Sequence, residues 1–401
     1  MFGGGATSSQ QRLIGFFGLE RNVVAVSAAM FLLALGENLW RRFLPQYLRS
    51  LGAPITAIGL FGTAEDLLDG LYQYPGGWIA DRFGRRRGLL LFIALAAAGY
   101  VVYLVMNTWW LAFVALALVM AWDSMASPTL FAVVGDALPK SMRTMGFTVQ
   151  SVLRRVPVVI APIIGGVMVA RMGIQSGVRA GVVISIVLAG VTAAVASRIR
   201  IPVVADETRI GVRDVWRSFP PALRWLLASD IFIRICDAMV DVFLVIFAVS
   251  VLRISAPRFG IVVAVQALTA ILVYIPAARV ARRTGKKPFV IATFVAFAAF
   301  PLAVVWSRSF AWLVVAFIVG GLREIGEPAR KALIIDLAHE RLRARVVGLY
   351  YFGRSVAIAP AAFVGGLLWR VSPEVPFYVA AAAGFAGVAV FALTVSEHDA
   401  G

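Results

Sequence analysis

Twelve stretches of this chain are apolar over lengths that can cross a lipid bilayer, and that recurrence restricts the fold more than any other feature of the sequence. They run at about 22–48, 54–80, 87–106, 109–137, 143–170, 176–197, 221–250, 257–279, 288–306, 310–337, 344–370 and 375–396. A spanning helix needs roughly 20 residues, and several of these stretches have length to spare for tilt. In a bilayer the backbone must satisfy its own polar groups, so each stretch is predicted to be an α-helix. The expected fold class is therefore an all-α membrane protein with twelve transmembrane helices. With 61% hydrophobic and 15% charged residues, a water-soluble globule would have to leave too much apolar surface exposed.

The rest of the composition removes other classes. A net charge of +17 would fit nucleic acid, but the basic residues are scattered through short turns without an aromatic-basic motif, so no nucleic-acid partner is expected. Cys236 stands alone, and His339 and His398 supply no His/Cys cluster, so neither a disulfide nor a metal site is expected. The stretch Thr284-Gly285-Lys286-Lys287 lacks the first glycine and the Ser/Thr of a phosphate-binding loop. No cofactor and no enzymatic activity are predicted, since no nucleophile-base pair is visible.

Asymmetry of charge sets the expected orientation. With a cytoplasmic N-terminus, the inner turns hold Arg82 to Arg87, Lys140, Arg143, Arg279 to Lys287, Arg341, Arg343 and Arg345, and exceed the outer turns in basic residues by about three to one. The predicted organisation is a cytoplasmic tail 1–21, a six-helix bundle 22–197, a cytoplasmic linker 198–220, a second bundle 221–396 and a tail 397–401. Residues 211–216 of the linker are expected to form a short amphipathic helix on the membrane surface. The expected location is the inner (plasma) membrane, multi-pass, as a monomer.

An internal repeat supports two bundles. Pro128 and Pro328 are 200 positions apart, and the same offset pairs Asp136 with Asp336, Arg143 with Arg343, Arg154 with Arg354, and Gly165-Gly166 with Gly365-Gly366. An offset of 201 pairs Pro75 with Pro276, Gly84 with Gly285 and Arg85-Arg86 with Lys286-Lys287. Two halves related by a pseudo-twofold axis along the membrane normal follow, with a cavity between them.

The turn Gly77-Trp78-Ile79-Ala80-Asp81-Arg82-Phe83-Gly84-Arg85-Arg86-Arg87 resembles the G-x-x-x-D-[RK]-x-G-[RK]-[RK] signature between helices 2 and 3 of the major facilitator superfamily, and Pro276 to Lys287 resembles an eroded copy. The resemblance covers essentially the whole chain and implies a twelve-helix secondary transporter whose helices 1, 4, 7 and 10 line the cavity. It also implies that Gly77, Asp81, Arg82, Gly84, Arg85 and Arg86 act as a gate or conformational latch.

Charges inside a membrane are costly without a partner or water, so each intramembrane ion is a candidate site. Segment 1 carries Glu37 with Arg41 one turn on; segment 7 carries Asp230, Arg234, Asp237 and Asp241 at spacings of 4, 3 and 4, a single polar stripe. Glu37 and Asp237 are 200 apart and are expected to face each other across the cavity. Segment 4 carries Asp123; segment 10 carries Arg323, Glu324, Glu327, Arg330 and Lys331. Segment 2 brings Glu65, Asp66 and Asp69 within about a turn, for which Arg154 and Arg354 are the expected counter-cations. Acids crowded together away from water take up protons more readily, so Glu37, Asp66, Asp69 and Asp237 are the expected proton-coupling groups, with Arg41, Asp123, Arg234, Asp241, Arg323 and Glu327 around the cargo. Asp136, Arg143, Arg154, Asp336, Arg343 and Arg354 are expected in gate or interdomain ion pairs.

Ala161-Pro162-Ile163-Ile164-Gly165-Gly166 is similar to the end of the G-P-x-x-G-G motif of antiporters in that superfamily, with alanine at the first glycine. The expected activity is proton-coupled efflux of a small drug-like or amphipathic solute. Uptake or exchange of an organic anion, and a non-transporting sensor or lipid scramblase on the same scaffold, are the alternatives.

Overall fold

The structure of the chain, a computed structural model, describes residues 21–83, 85–125, 140–197, 212–337 and 343–395; side chains at 21–27, 73–83, 85, 123, 125, 140–154, 212–214, 275, 278–279, 281–284, 332, 335 and 343–345 lie outside that description. The described helices form twelve rods. The first half contains α1 (Arg21–Asn38, then a tight turn Arg41–Phe43 and Leu44–Ser50), α2 (Ile55–Phe83) and α3 (Arg85–Val105). It continues with α4 (Leu111–Met120, widening into a π turn at Ala121–Met125), α5 (Lys140–Met172) and α6 (Ile174–Ala196). After a short helix Val212–Arg217, the second half contains α7 (Pro221–Asp241, Leu244–Ile246 and a π turn Phe247–Val251), α8 (Ala256–Thr284) and α9 (Lys287–Val305). It ends with α10 (Phe310–Leu322 and Glu327–Leu337), α11 (Arg343–Ile358 and Pro360–Trp369) and α12 (Val375–Thr394).

Among the described residues, seven rods contain a helical stretch long and apolar enough to cross a membrane: α3, α5, α6, α8, α9, α11 (through a turn at Ala359) and α12. The other five, α1, α2, α4, α7 and α10, are interrupted or carry charged side chains along their length. Segments expected as single helices at 22–48, 221–250 and 310–337 are thus broken, and the breaks have causes. In α10, Arg323 turns back to donate from Nε to Gly320 O at 2.8 Å, the Gly326 amide donates to Thr293 Oγ1 at 2.5 Å, and Pro328 then starts a new helix. Polar side chains and their own backbone re-satisfy the groups freed by the break, as a non-aqueous setting demands.

The two halves repeat each other contact by contact. Gly165 packs against the Leu39 carbonyl and Phe43, and 200 residues later Gly365 packs against the Met239 carbonyl and Phe243. Gly59 meets Ala362, and its counterpart Gly260 meets Pro162; Gly166 meets Ala256, and Gly366 meets Ile55 and Thr56. The first pair joins helices within a half. The others cross between halves, along the α2–α11 and α5–α8 seams. A side chain at these positions would strike backbone, so the glycines set how closely the rods approach.

Each half also has its own aromatic filling. Trp40 packs on Tyr103 with ring centroids 4.9 Å apart and donates from Nε1 to Ser185 Oγ at 2.9 Å. In the second half Phe247 packs on Phe377 at 4.7 Å and Phe294 on Phe391 at 5.2 Å. The helix Val212–Arg217 matches the expected amphipathic stretch in position but docks against α11, with Val215 and Phe219 buried in the second half's core. Val215 meets protein, while Trp216 stays exposed.

Candidate functional site

Between the halves lies a cavity of about 700 Å³. Six of its lining residues are basic (Arg41, Arg42, Arg155, Arg234, Arg323, Lys331) and four acidic (Glu37, Asp69, Asp237, Glu324). Apolar and polar groups such as Trp122, Phe297, Tyr274 and Gln266 complete the wall. Helices 1, 4, 7 and 10 contribute as the resemblance implied. So do α2, α5, α8 and α9, through Asp69, Arg155, Gln266 and Phe297.

Each half supplies one ionic knot facing this space. In the first, Arg41 sits between Glu37, at 3.2 Å, and Glu65, while Ser124 donates to Asp69 at 2.6 Å. Glu37 is buried, so its pairing with Arg41 offsets the cost of removing the carboxylate from water. In the second, Arg323 pairs with Asp237, and its guanidinium lies over the rings of Phe297 at 4.8 Å and Phe300 at 4.7 Å. Two flanking aromatics and a carboxylate fix this group in place, an arrangement that suits a planar guanidinium better than an ammonium.

Behind the cavity wall, α7, α10 and α11 share a buried network. Asp230 accepts from Arg330 at 2.6 Å, Arg354 at 3.2 Å and Tyr350 at 3.1 Å, and Arg330 also holds Glu327 at 2.7 Å. Arg234 bridges to the cavity, 3.6 Å from Glu327 and 3.8 Å from Asp237. Three sequence expectations are corrected here. Arg354 serves Asp230, not the acids of α2; Glu327 lies in this network, not on the cavity wall; and the expected single stripe of α7 splits between core, cavity and rim. Burial decided this, because Asp230 and Arg330 are only 0% and 1% exposed and can be ionic only as partners of one another.

Among the described residues, ion pairs cross between the halves from Arg42 to Asp241 at 3.3 Å and from Arg155 to Glu324 at 3.0 Å, with Arg155 over the Tyr274 ring at 4.9 Å. Asp66 does not line the cavity. Its charged neighbours are Glu65, Asp237, Asp241 and Asp69. Asp336, expected in a gate or interdomain ion pair, pairs with Lys286, a contact between the eroded second turn and α10. Arg86 is exposed. The side chains of Asp81, Arg82, Arg85, Asp123, Arg143, Arg154 and Arg343, and residues Gly77, Gly84 and Asp136, lie outside the described groups.

Arg155 escaped sequence reasoning. The signal was present, an arginine deep in an apolar helix, but its neighbour Arg154 has the repeat partner and attracted the assignment. One residue is a rotation of about 100° on a helix, which separates the two side chains' surroundings. Arg42 and Glu324 were similarly visible as charges without a decidable direction.

Two six-helix halves duplicated around a charged central cavity define a membrane carrier scaffold. Comparison with known proteins agrees: the Major Facilitator Superfamily model matches twice, at residues 26–252 and 226–401. The chain belongs to the major facilitator superfamily. It is 20% identical over 367 residues to an uncharacterised MFS-type transporter of Methanocaldococcus jannaschii, covering 90% of this chain and 91% of that one. Over 98 residues, 23% of each chain, it is 32% identical to a Na(+), Li(+), K(+)/H(+) antiporter of Planococcus maritimus. A POT family transporter crystallised with 5-aminolevulinic acid has the same fold, with a TM-score of 0.78 at 13% identity, covering 94% of this chain and 96% of that one.

Proposed function

We propose that the chain is a secondary active transporter that exports a small charged solute in exchange for protons, by alternating access. The observation that carries this reading is the cavity itself. Ten charged residues from both halves converge on about 700 Å³, and the pairs that hold them still can be exchanged for contacts with a cargo. A charge-rich wall favours a polar, ionised solute over the amphipathic drug-like cargo expected from sequence.

The moving bodies we assign are residues 22–197 and 221–396, joined by 198–220, with the linker end cytoplasmic. At the opposite end Gly59, Gly166, Gly260 and Gly366 bring backbones together across the seams, and Phe43 packs on Phe259 at 5.9 Å. The state described is then closed outward. Rocking about these seams would open the Arg42–Asp241 pair and expose the cavity to the other side.

Glu37, Asp66, Asp69 and Asp237 are the assigned proton-coupling acids. Support comes from their crowding, with Asp66 among four other carboxylates, and from the cation/proton antiporter similar to part of this chain. A second reading, exchange of an organic anion, is favoured by the excess of lining cations, six against four. Proteoliposomes with an imposed pH gradient test both. Proton flux triggered by a zwitterionic or cationic amine and lost in Glu37→Gln supports the first. Carboxylate counterflow indifferent to the gradient establishes the second in its place.

A further inference from the structure

The rim of the second half remote from the linker carries a cluster that transport does not use. Arg253 and Arg258 flank the turn between α7 and α8, and Arg308 sits in the turn between α9 and α10; all three are exposed. The two turns meet where the Arg258 guanidinium lies over the Phe310 ring at 5.4 Å. Trp306 and Trp312 stand on either side of Arg308, 65% and 64% exposed. Among the described residues of the α7–α8, α9–α10 and α11–α12 turns on this rim, the acid is Glu374, which is engaged by Ser372.

The backbone adds an independent sign. Arg253 has φ 58°, in the left-handed region, and is the non-glycine residue so placed among the described ones. Its repeat counterpart, 201 positions earlier, is Gly52 with φ 86°. The same turn is thus built twice, with glycine where the conformation is unstrained and with arginine where it is not. Thr108 stands where Arg308 has its counterpart, and Ala57 stands 201 positions before Arg258. Backbone preference does not account for an arginine at 253, whereas a ligand for its side chain does.

We propose that Arg253, Arg258 and Arg308 bind the phosphate headgroup of an anionic phospholipid in the leaflet at this rim. Exposed tryptophans are the side chains that settle at headgroup level. Arginines beside them, without acids to neutralise them, offer a phosphate several charge-assisted donors at that depth. The surface is specific to the second half, so the lipid would sit at one side of the carrier and not form a symmetric annulus.

The test equilibrates detergent-purified full-length protein with an equimolar mixture of phosphatidylglycerol and phosphatidylcholine and quantifies retained lipid. Enrichment of phosphatidylglycerol is expected, falling roughly fivefold for each arginine removed in Arg258→Gln and Arg308→Gln. Arg253→Gly should lose the same factor while its thermal midpoint in phosphatidylcholine alone stays level or rises, because glycine fits the turn. The cavity variant Arg323→Gln should keep the full enrichment. Unchanged enrichment in Arg253→Gly and in the Arg258→Gln/Arg308→Gln double variant overturns the proposal. So does enrichment abolished by inorganic phosphate at matched ionic strength, which would make this a free-anion site.

Discussion

The two halves of this molecule share their backbone contacts and differ in their charges. Gly165 and Gly365 touch carbonyls at equivalent positions, as do Gly59 and Gly260, yet equivalent ionic positions have diverged. Arg41 corresponds to Asp241, Asp123 to Arg323, and Ser124 to Glu324. The first half places Glu65, Asp66 and Asp69 on α2, where α8 carries neutral Gln266, Ala267 and Ala270. The second half instead buries a network around Asp230 and Arg330. Close packing tolerates almost no variation in glycine, because any Cβ meets backbone. Ion pairs tolerate much, provided each charge keeps a partner. The duplicated parts therefore hold the rods together, and the diverged parts give the two halves different charges around the cavity.

Removing the anchor of the second half should have the largest effect. Arg330→Ala leaves Asp230 and Glu327 buried without their main cation and is expected to cost about 3–5 kcal/mol, read as a large drop in thermal midpoint in detergent. Replacing all three by apolar residues of similar volume should restore most of that stability. If the single variant melts like the wild type, the second half is not ionically anchored and the contrast between the halves fails.

Equivalent glycines should behave alike. Gly165→Ala drives a methyl into the Leu39 carbonyl, and Gly365→Ala drives one into the Met239 carbonyl. Each is expected to cost about 1–3 kcal/mol by overpacking. Unequal losses measured by thermal unfolding would mean that one crossing is looser than its counterpart.

The cavity-facing knots should separate. Arg323→Gln removes the Asp237 partner and the cation over Phe297 and Phe300, and transport into vesicles is expected to fall by about tenfold or more, equivalent to about 1.4 kcal/mol. Arg41→Gln, flanked by Glu37 and Glu65, should instead alter the dependence of transport on an imposed pH gradient. If both variants lose transport equally at every gradient, the division of labour between halves disappears. The smallest expected effect is that of Ser124→Ala, which removes one hydrogen bond to Asp69 and should cost about 1 kcal/mol.

Much of this was legible along the chain. Apolar length located all twelve rods, and the offset of 200 anticipated two related halves, since a duplicated core needs the same glycines and prolines at the same intervals. The charges of α1, α2, α7 and α10 were visible because the bilayer makes each of them expensive. Their partners were not. The sequence points Arg354 at the α2 acids, where the structure gives it to Asp230, and it singles out Arg154, where Arg155 faces the cavity. In each case the residue type was right and the direction was undetermined.

Hydrophobic periodicity and length act locally, through the requirement that every backbone amide in lipid be bonded within its own helix. The sequence by itself therefore determined that this chain is helical, spans the membrane twelve times and does so as a repeated unit. Which carboxylate meets which guanidinium depends on helix rotation, on breaks such as that at Arg323, and on which rods cross at Gly59 and Gly260. Those are fixed by packing among residues hundreds of positions apart, and only the tertiary structure decided them.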